Sequence, residues 1–126
     1  MTRSGDGDGG RKITSFPGRV GPGQLEEALL YYMTAPGKER GALQPRFAEA
    51  GVEAVRFLVG KLRASDRDAR VAAYELIGAL VERRFLFEPD AKAEERDLML
   101  VPIETWWQEQ KGKLRWEETK GRFVAG

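Results

Sequence analysis

Residues 68–85 carry the pattern that most constrains the fold, because their apolar side chains follow two helical stripes. One stripe consists of Ala69, Ala72, Ala73, Leu76 and Leu80. The other, on roughly the opposite side, consists of Val71, Tyr74, Gly78, Val81 and Phe85. A helix at the surface of a globular protein needs only one apolar stripe. The pattern therefore predicts a helix that is covered on both sides, as in a stack of helices.

Three further segments show one helical stripe each, at residues 24–35, 52–62 and 93–111. The stripes consist of Leu25, Ala28, Leu29 and Tyr32; of Val52, Val55, Leu58, Val59 and Leu62; and of Leu98, Met99, Ile103 and Trp106. Pro102 is expected to kink or divide the last helix, because proline removes a helical hydrogen bond. The glycine- and proline-containing residues between the first two helices are expected to form a loop, with a short helical turn at "RFAEAG".

No strand pattern with a partner is visible, so the sequence predicts an all-α fold of about four main helices. Residues 112–126 are expected to be an extended or frayed tail, without a sheet. Residues 1–23 are rich in glycine and have little to bury, which predicts a flexible leader before a single domain at 24–126. Asp6 and Asp8 in "GDGDGG" resemble part of a calcium loop, but the downstream bidentate carboxylate is missing, so no metal site is expected.

"GVEAVRFLVGKLRASDRDARVAAYELIGAL", residues 51–80, resembles a HEAT repeat, a hairpin of two helices. The clearest repeat covers residues 51–85. The resemblance lies in an apolar first helix, an aspartate-bearing turn, and the Arg-x-small-small pattern at Arg70, Ala72 and Ala73. It implies a bond between Asp66 or Asp68 and Arg70 across hairpins, and a role in protein interaction. Residues 89–110 are similar to the closing helix of bacterial HEAT-like proteins, so the chain is a short capped stack or a piece of a longer array.

Composition restricts the chemistry. The chain lacks histidine and cysteine, the commonest general base and the usual thiol nucleophile. Its adjacent carboxylates point about 100° apart on a helix, and Glu75 and Glu82 suit solvent or interhelical salt bridges better than acid/base chemistry. No catalytic, cofactor or metal site is therefore expected, and the chain is predicted not to be an enzyme. No apolar run reaches the roughly 20 residues that span a bilayer, and no secretory signal is visible, so a cytoplasmic location is expected.

Arginines suggest a nucleic-acid site as an alternative. Arg63, Arg67 and Arg70 surround one turn, and beside Trp116 and Lys113 they could grip an acidic or nucleic-acid partner through charge and stacking. Against this alternative, 21 lysines and arginines face 20 aspartates and glutamates, without the basic excess typical of such proteins. Arg83 and Arg84 are expected to end the two-striped helix, where cations complement its dipole.

All three tryptophans lie within residues 104–116. Trp106 shares a stripe with Met99 and Ile103 and is expected to cap the stack, whereas Trp107 lines up with Leu100 and could serve both as a cap and as a binding residue. The leading hypothesis is an interaction module that binds a protein or peptide partner, and self-association is also possible. The candidate partner-binding residues are Tyr31, Phe57, Tyr74, Arg83, Arg84, Trp107 and Trp116.

Overall fold

The computed structural model describes residues 16–125, which form a mostly helical body and a small sheet. The helices are α1 (Leu25–Thr34), α2 (Gly37–Leu43), α3 (Val52–Lys61), α4 (Arg67–Leu80) and α5 (Ala93–Gln110). The strands are β1 (Leu114–Glu117) and β2 (Arg122–Ala125), and 3-10 helices cover Pro22–Gln24 and Gln44–Ala50. The helical fold predicted from the sequence is thus confirmed for the body, but the prediction missed the small sheet.

α4 lies at the centre and packs against α1, α3, the 3-10 helix Gln44–Ala50 and β2. It begins at an N-cap, Asp66, whose side chain accepts a hydrogen bond from the Asp68 backbone N–H at 3.1 Å. Its first predicted stripe is buried, with Ala73 and Leu76 fully inaccessible. The second predicted stripe is buried only at Val81, while Val71, Tyr74 and Gly78 are half-buried, so the expectation that α4 is covered on both sides is confirmed only in part.

The second side of α4 is covered by a loop and a strand rather than by another helix, which corrects the prediction. The helix ends at Leu80 instead of Phe85, and Val81 bridges to Phe123 of β2. Arg122 donates from Nη1 to the carbonyls of Gly78 and Val81, at 2.9 and 3.0 Å. The last carbonyls of a helix lack intrahelical hydrogen-bond donors. Here the Arg122 side chain of β2 donates to them.

β1 and β2 form an antiparallel hairpin, so the expectation of a tail without a sheet is wrong. Trp116 pairs with Phe123 in the register, and Leu114, Phe123 and Val124 are buried. The tail is extended, as expected, but its pairing partner lies within the tail itself. Gly121, at φ 63°, lies in the connecting turn.

Residues 36–51, expected to be mainly a loop, form α2 and the longer 3-10 helix. The latter confirms the helical turn expected at "RFAEAG". Leu43 and Phe47 are fully buried within this segment. Their burial against the core stabilises helices too short to persist alone.

α5 runs continuously through Pro102, so the proline does not divide it. Pro102 and Leu98 both face solvent, where water can satisfy the Leu98 carbonyl that lacks a helical donor. The predicted stripe was wrong at Leu98, which is 74% exposed; the residues buried against the body are Leu100, Ile103, Trp106 and Trp107. α5 packs on α3.

The predicted leader is too long at its C-terminal end. Phe16 and Val20 are buried in the core. Arg46 donates to the carbonyls of Phe16, at 3.0 Å, and of Gly18, while Glu49 Oε1 accepts from the Val20 N–H at 2.8 Å. The body thus includes residues 16–23; the rest of the expected leader, with Asp6 and Asp8, lies outside the described residues.

Candidate functional site

A cavity of about 340 Å³ lies between the C-terminal half of α4, the residues that follow it and the start of the longer 3-10 helix. We call it the arginine cavity. It is lined by Gln44, Tyr74, Glu75, Ile77, Gly78, Arg83, Arg84 and Phe85. Three of the seven predicted site residues, Tyr74, Arg83 and Arg84, meet here.

Aromatic packing holds the loop that forms one wall of this cavity. Tyr74 donates its hydroxyl to the Phe85 carbonyl at 2.6 Å, and its ring lies 5.8 Å from that of Phe87, which is buried. Phe85 also packs edge-on against Trp106 of α5, with ring centroids 5.1 Å apart. The loop is therefore fixed from both α4 and α5, so the cavity wall is preformed.

A polar network lies behind the cavity wall. The Tyr32 hydroxyl donates to Glu75 Oε1 at 3.0 Å and accepts from Gln44 Nε2 at 2.9 Å. Burial raises the pKa of Tyr32, and the neighbouring Glu75 carboxylate raises it further, whereas the Gln44 hydrogen bond lowers it. Arg40 Nη1 lies 3.9 Å from Glu75 Oε1. Glu75 of α4 thus contacts side chains of both α1 and α2, in agreement with the interhelical role expected for it.

Arg83 and Arg84 form the basic part of the cavity. Both are exposed, and both follow α4 instead of ending it, which corrects the predicted placement. The Arg83 guanidinium stacks 5.2 Å from the centre of the Phe85 ring. Within residues 16–125, neither arginine has a carboxylate within ion-pair distance.

The other predicted arginine cluster is neutralised by the fold. Arg63 bonds to Glu104 at 2.6 and 2.8 Å, and Arg67 bonds to Asp90 at 2.7 Å. The hydrogen bond from Arg67 lowers the pKa of Asp90. Arg70 is buried and donates only to backbone carbonyls, so the aspartate–arginine bond implied by the HEAT resemblance does not form within the described part of this chain. These three arginines already have partners.

The remaining four candidates lie away from the arginine cavity. Trp107 is 8% exposed and packs in the core, and its edge lines a different groove between α3 and α5. Trp116 is half-buried, with its ring 5.2 Å from Phe123. Tyr31 donates to Glu39 Oε1 at 2.8 Å, and Phe57 lies beneath Lys61 Nζ at 5.4 Å. The tryptophans therefore close the body, as expected, and Trp107 exposes only the ring edge that lines this groove.

Sequence reasoning did not assign Gln44, Ile77 or Phe85 to a site. Gln44 lies 30 positions before Tyr74, so only tertiary packing brings the two together. Phe85 was assigned to a helical stripe that in fact ends before it. Tyr74 and the adjacent arginines were the sequence signals that pointed to this region.

Among residues 16–125, no cluster of three or more aspartates or glutamates is arranged to hold a metal ion. None of the described helices is both long and apolar enough to cross a membrane. Comparisons with protein-family models, curated proteins and solved structures found no match.

Proposed function

We propose that this chain is a non-enzymatic interaction module that binds an acidic segment of a protein partner in the arginine cavity. The observation that carries the proposal is the pair Arg83 and Arg84, which have no carboxylate partner within the described residues and flank a preformed cavity. A guanidinium presents several donors in a rigid fork, and it binds a carboxylate through two parallel hydrogen bonds.

The cavity walls favour a segment that carries apolar as well as acidic side chains. Gly78 and Phe85, which are half-buried, offer apolar surface beside the two guanidinium groups. An aspartate or glutamate next to a leucine or an aromatic residue would satisfy both chemistries at once. Because the Phe85 ring already orients Arg83, binding requires little further ordering of that side chain.

The HEAT resemblance remains part of the proposal. It applies to α3 and α4, which pack against each other and are joined by residues 62–66. Stacked helical hairpins commonly present binding surfaces, so the resemblance supports an interaction role. The cytoplasmic location also stays a prediction from the sequence. The nucleic-acid alternative is weakened, because the arginines on which it depended are paired or buried.

A peptide-display selection tests this function directly. Random peptides are selected on the wild-type protein, with the double variant Arg83→Glu/Arg84→Glu as the counter-target. The enriched peptides are then synthesised and their affinities measured by fluorescence anisotropy. We expect enrichment of aspartate or glutamate beside apolar residues, and an affinity loss of at least about tenfold in the double variant. Affinity should also fall with added salt, because exposed charges are screened.

The matched control is Lys92→Glu/Lys113→Glu, which changes net charge by the same amount at two other exposed cations without an ion pair in the described residues. Circular dichroism checks that every variant is folded. Equal losses in the two double variants would mean that only net charge matters. Peptides without acidic residues, or equal binding by wild type and the Arg83→Glu/Arg84→Glu variant, would refute the proposed site. An oligonucleotide that competed with the selected peptides more strongly than free acidic peptide would favour the nucleic-acid alternative.

A further inference from the structure

α5 carries a second apolar stripe, which faces solvent. Leu98 is 74% exposed and Val101 is 57% exposed, and Pro102 and Thr105 are also exposed. These positions follow the spacing i, i+3, i+4, i+7, which places them along one side of a helix. Leu100, Ile103 and Trp107 are buried against the body on the other side. A helix that is apolar on two sides is typical of one with a neighbour on each side.

The exposed stripe borders a groove between α3 and α5, which we call the α3–α5 trough. The trough has a volume of about 590 Å³. Its lining includes Val59, Gly60, Val101 and the edge of Trp107. Gly60 has nothing within 4 Å of the position that a Cβ would occupy, so the floor is open there. An elongated apolar side chain or a helix could lie along this surface.

Carboxylates surround the stripe and the trough. Arg56, Glu104 and Glu109 line the trough, and Glu94 and Glu95 begin α5 at one end of the stripe. Arg56 pairs with Glu53, and Glu104 pairs with Arg63, so these two charges are already compensated. Within residues 16–125, Glu94, Glu95 and Glu109 take part in no ion pair. The unpaired charges that border this apolar surface are therefore negative, in contrast to the unpaired arginines of the arginine cavity.

The charge pattern selects among the occupants that such a surface could take. An anionic membrane surface would be repelled by these carboxylates. A second copy that packed α5 antiparallel about the centre of the stripe would place Glu94 opposite Glu109, and like charges would then face each other. A helix with an apolar stripe bordered by lysine or arginine would match both the shape and the charge.

We propose that the α3–α5 trough and the exposed stripe of α5 together bind a basic amphipathic helix of a protein partner. Leucine-sized side chains of that helix pack against Val101 and the Trp107 edge, and its cations face Glu94 and Glu109. This surface is separate from the arginine cavity, so the two proposals can fail independently. The chain would then carry two binding surfaces of opposite charge preference.

Designed peptides of defined charge and apolar spacing test this proposal. The probe is a helical peptide of about 18 residues, the length of α5, with leucines at i, i+3, i+4 and i+7 and lysines on both borders. One comparison peptide replaces the lysines with glutamates, and another keeps the composition but disperses the leucines. Binding is measured by fluorescence anisotropy on wild type, Leu98→Ser/Val101→Ser and Glu94→Lys/Glu109→Lys.

We expect the basic amphipathic peptide alone to bind, with at least about tenfold weaker affinity for either double variant. The matched control, Glu27→Lys/Glu88→Lys, reverses two other exposed glutamates without an ion pair in the described part of the chain and should bind like wild type. The variant Arg83→Glu/Arg84→Glu should also bind this peptide at least as well as wild type. All substituted side chains are exposed, so circular dichroism should show folded proteins.

Failure of the basic peptide to bind, or equal binding by the acidic or dispersed peptide, would overturn the proposal. An equal loss in the Glu27→Lys/Glu88→Lys control would also overturn it, because the effect would then follow net charge. Sedimentation equilibrium of the wild type provides the remaining test. Self-association that Leu98→Ser/Val101→Ser abolishes, without binding of the basic peptide, would identify a second copy as the occupant instead.

Discussion

Replacement of Arg70 by methionine should destabilise the protein more than any replacement of its exposed arginines. Arg70 is 6% exposed and donates from Nε to the Pro89 carbonyl at 3.0 Å. It also donates from Nη1 to the carbonyls of Ala64 and Ser65, both at 3.0 Å. The side chain, which belongs to α4, thus joins the turn before that helix to the loop between α4 and α5.

The magnitude follows from these contacts. A hydrogen bond to a charged group contributes about 1.5–3 kcal/mol. Because two of the three acceptors share one nitrogen, we take the stability lost to be that of two full hydrogen bonds. Ser65 is exposed and Ala64 and Pro89 are only half-buried, so water can recover part of the loss. Methionine keeps the apolar stem in place. We therefore expect Arg70→Met to lower the free energy of unfolding by about 3 kcal/mol, and the melting temperature by roughly 10 °C.

Urea denaturation followed by circular dichroism measures this loss. Arg56→Met is the matched control, because Arg56 is exposed and its ion-pair partner among residues 16–125 is Glu53, at 3.2 Å. This replacement should change stability by less than about 0.5 kcal/mol. Arg70→Lys should fall between wild type and Arg70→Met, since a compact ammonium cannot reach carbonyls of both segments. A loss below about 1 kcal/mol for Arg70→Met, or wild-type stability for Arg70→Lys, would refute this account.

Three further perturbations have expected outcomes. Trp107→Ala should cost about 3–5 kcal/mol in urea denaturation, because the ring is buried in the core; a fully stable variant would show that the ring is dispensable there. Gly51→Ala should destabilise the protein by about 1–3 kcal/mol, since φ 68° and ψ −153° suit only glycine. Gly60→Ala should instead stabilise it slightly, because Gly60 lies inside α3 with free space for a Cβ. Equal effects of the two substitutions on stability would contradict this reasoning. Burial alone would raise the pKa of Glu49, but the hydrogen bond from the Val20 N–H helps to lower it overall. The ionised Glu49 side chain therefore stabilises the fold above the unfolded pKa of about 4.3. This stabilisation is lost as pH falls through the folded pKa. Thermal melts of Glu49→Gln should therefore lie below wild type at neutral pH and converge with it in acid, and a gap that persisted in acid would contradict the sign.

Helical periodicity correctly predicted the helices in which a complete apolar stripe is buried. Leu25, Ala28, Leu29 and Tyr32 of α1 are all buried, as their spacing indicates. The stripe of α5 was wrong at Leu98 because apolar residues occur on both sides of that helix, and spacing alone does not tell which side meets the body. Two-sided patterns predict that a helix has two neighbours, but not that both belong to the same chain.

Short elements escaped prediction because their stability comes from tertiary contacts. α2 has seven residues, and each strand of the hairpin has four. Segments of that length show too few repeats of any period to indicate a structure. Phe16 and Val20 are isolated among glycines and prolines, so nothing in the local sequence signals that both are buried. The arginine cavity was predictable only in part for the same reason, since Gln44 reaches it through the packing of these short elements.

A net charge of +1 predicts no strong electrostatic preference. That inference assumes that opposite charges neutralise one another locally, and for Arg63 and Arg67 they do. At Arg83 and Arg84, and at Glu94, Glu95 and Glu109 of α5, they do not within the described residues. Since screening limits electrostatic attraction to about 10 Å at ordinary salt, a partner responds to the charges of the surface it touches rather than to their sum. Balanced composition is therefore compatible with two charge-selective surfaces on one small protein, and only the fold reveals which charges remain available.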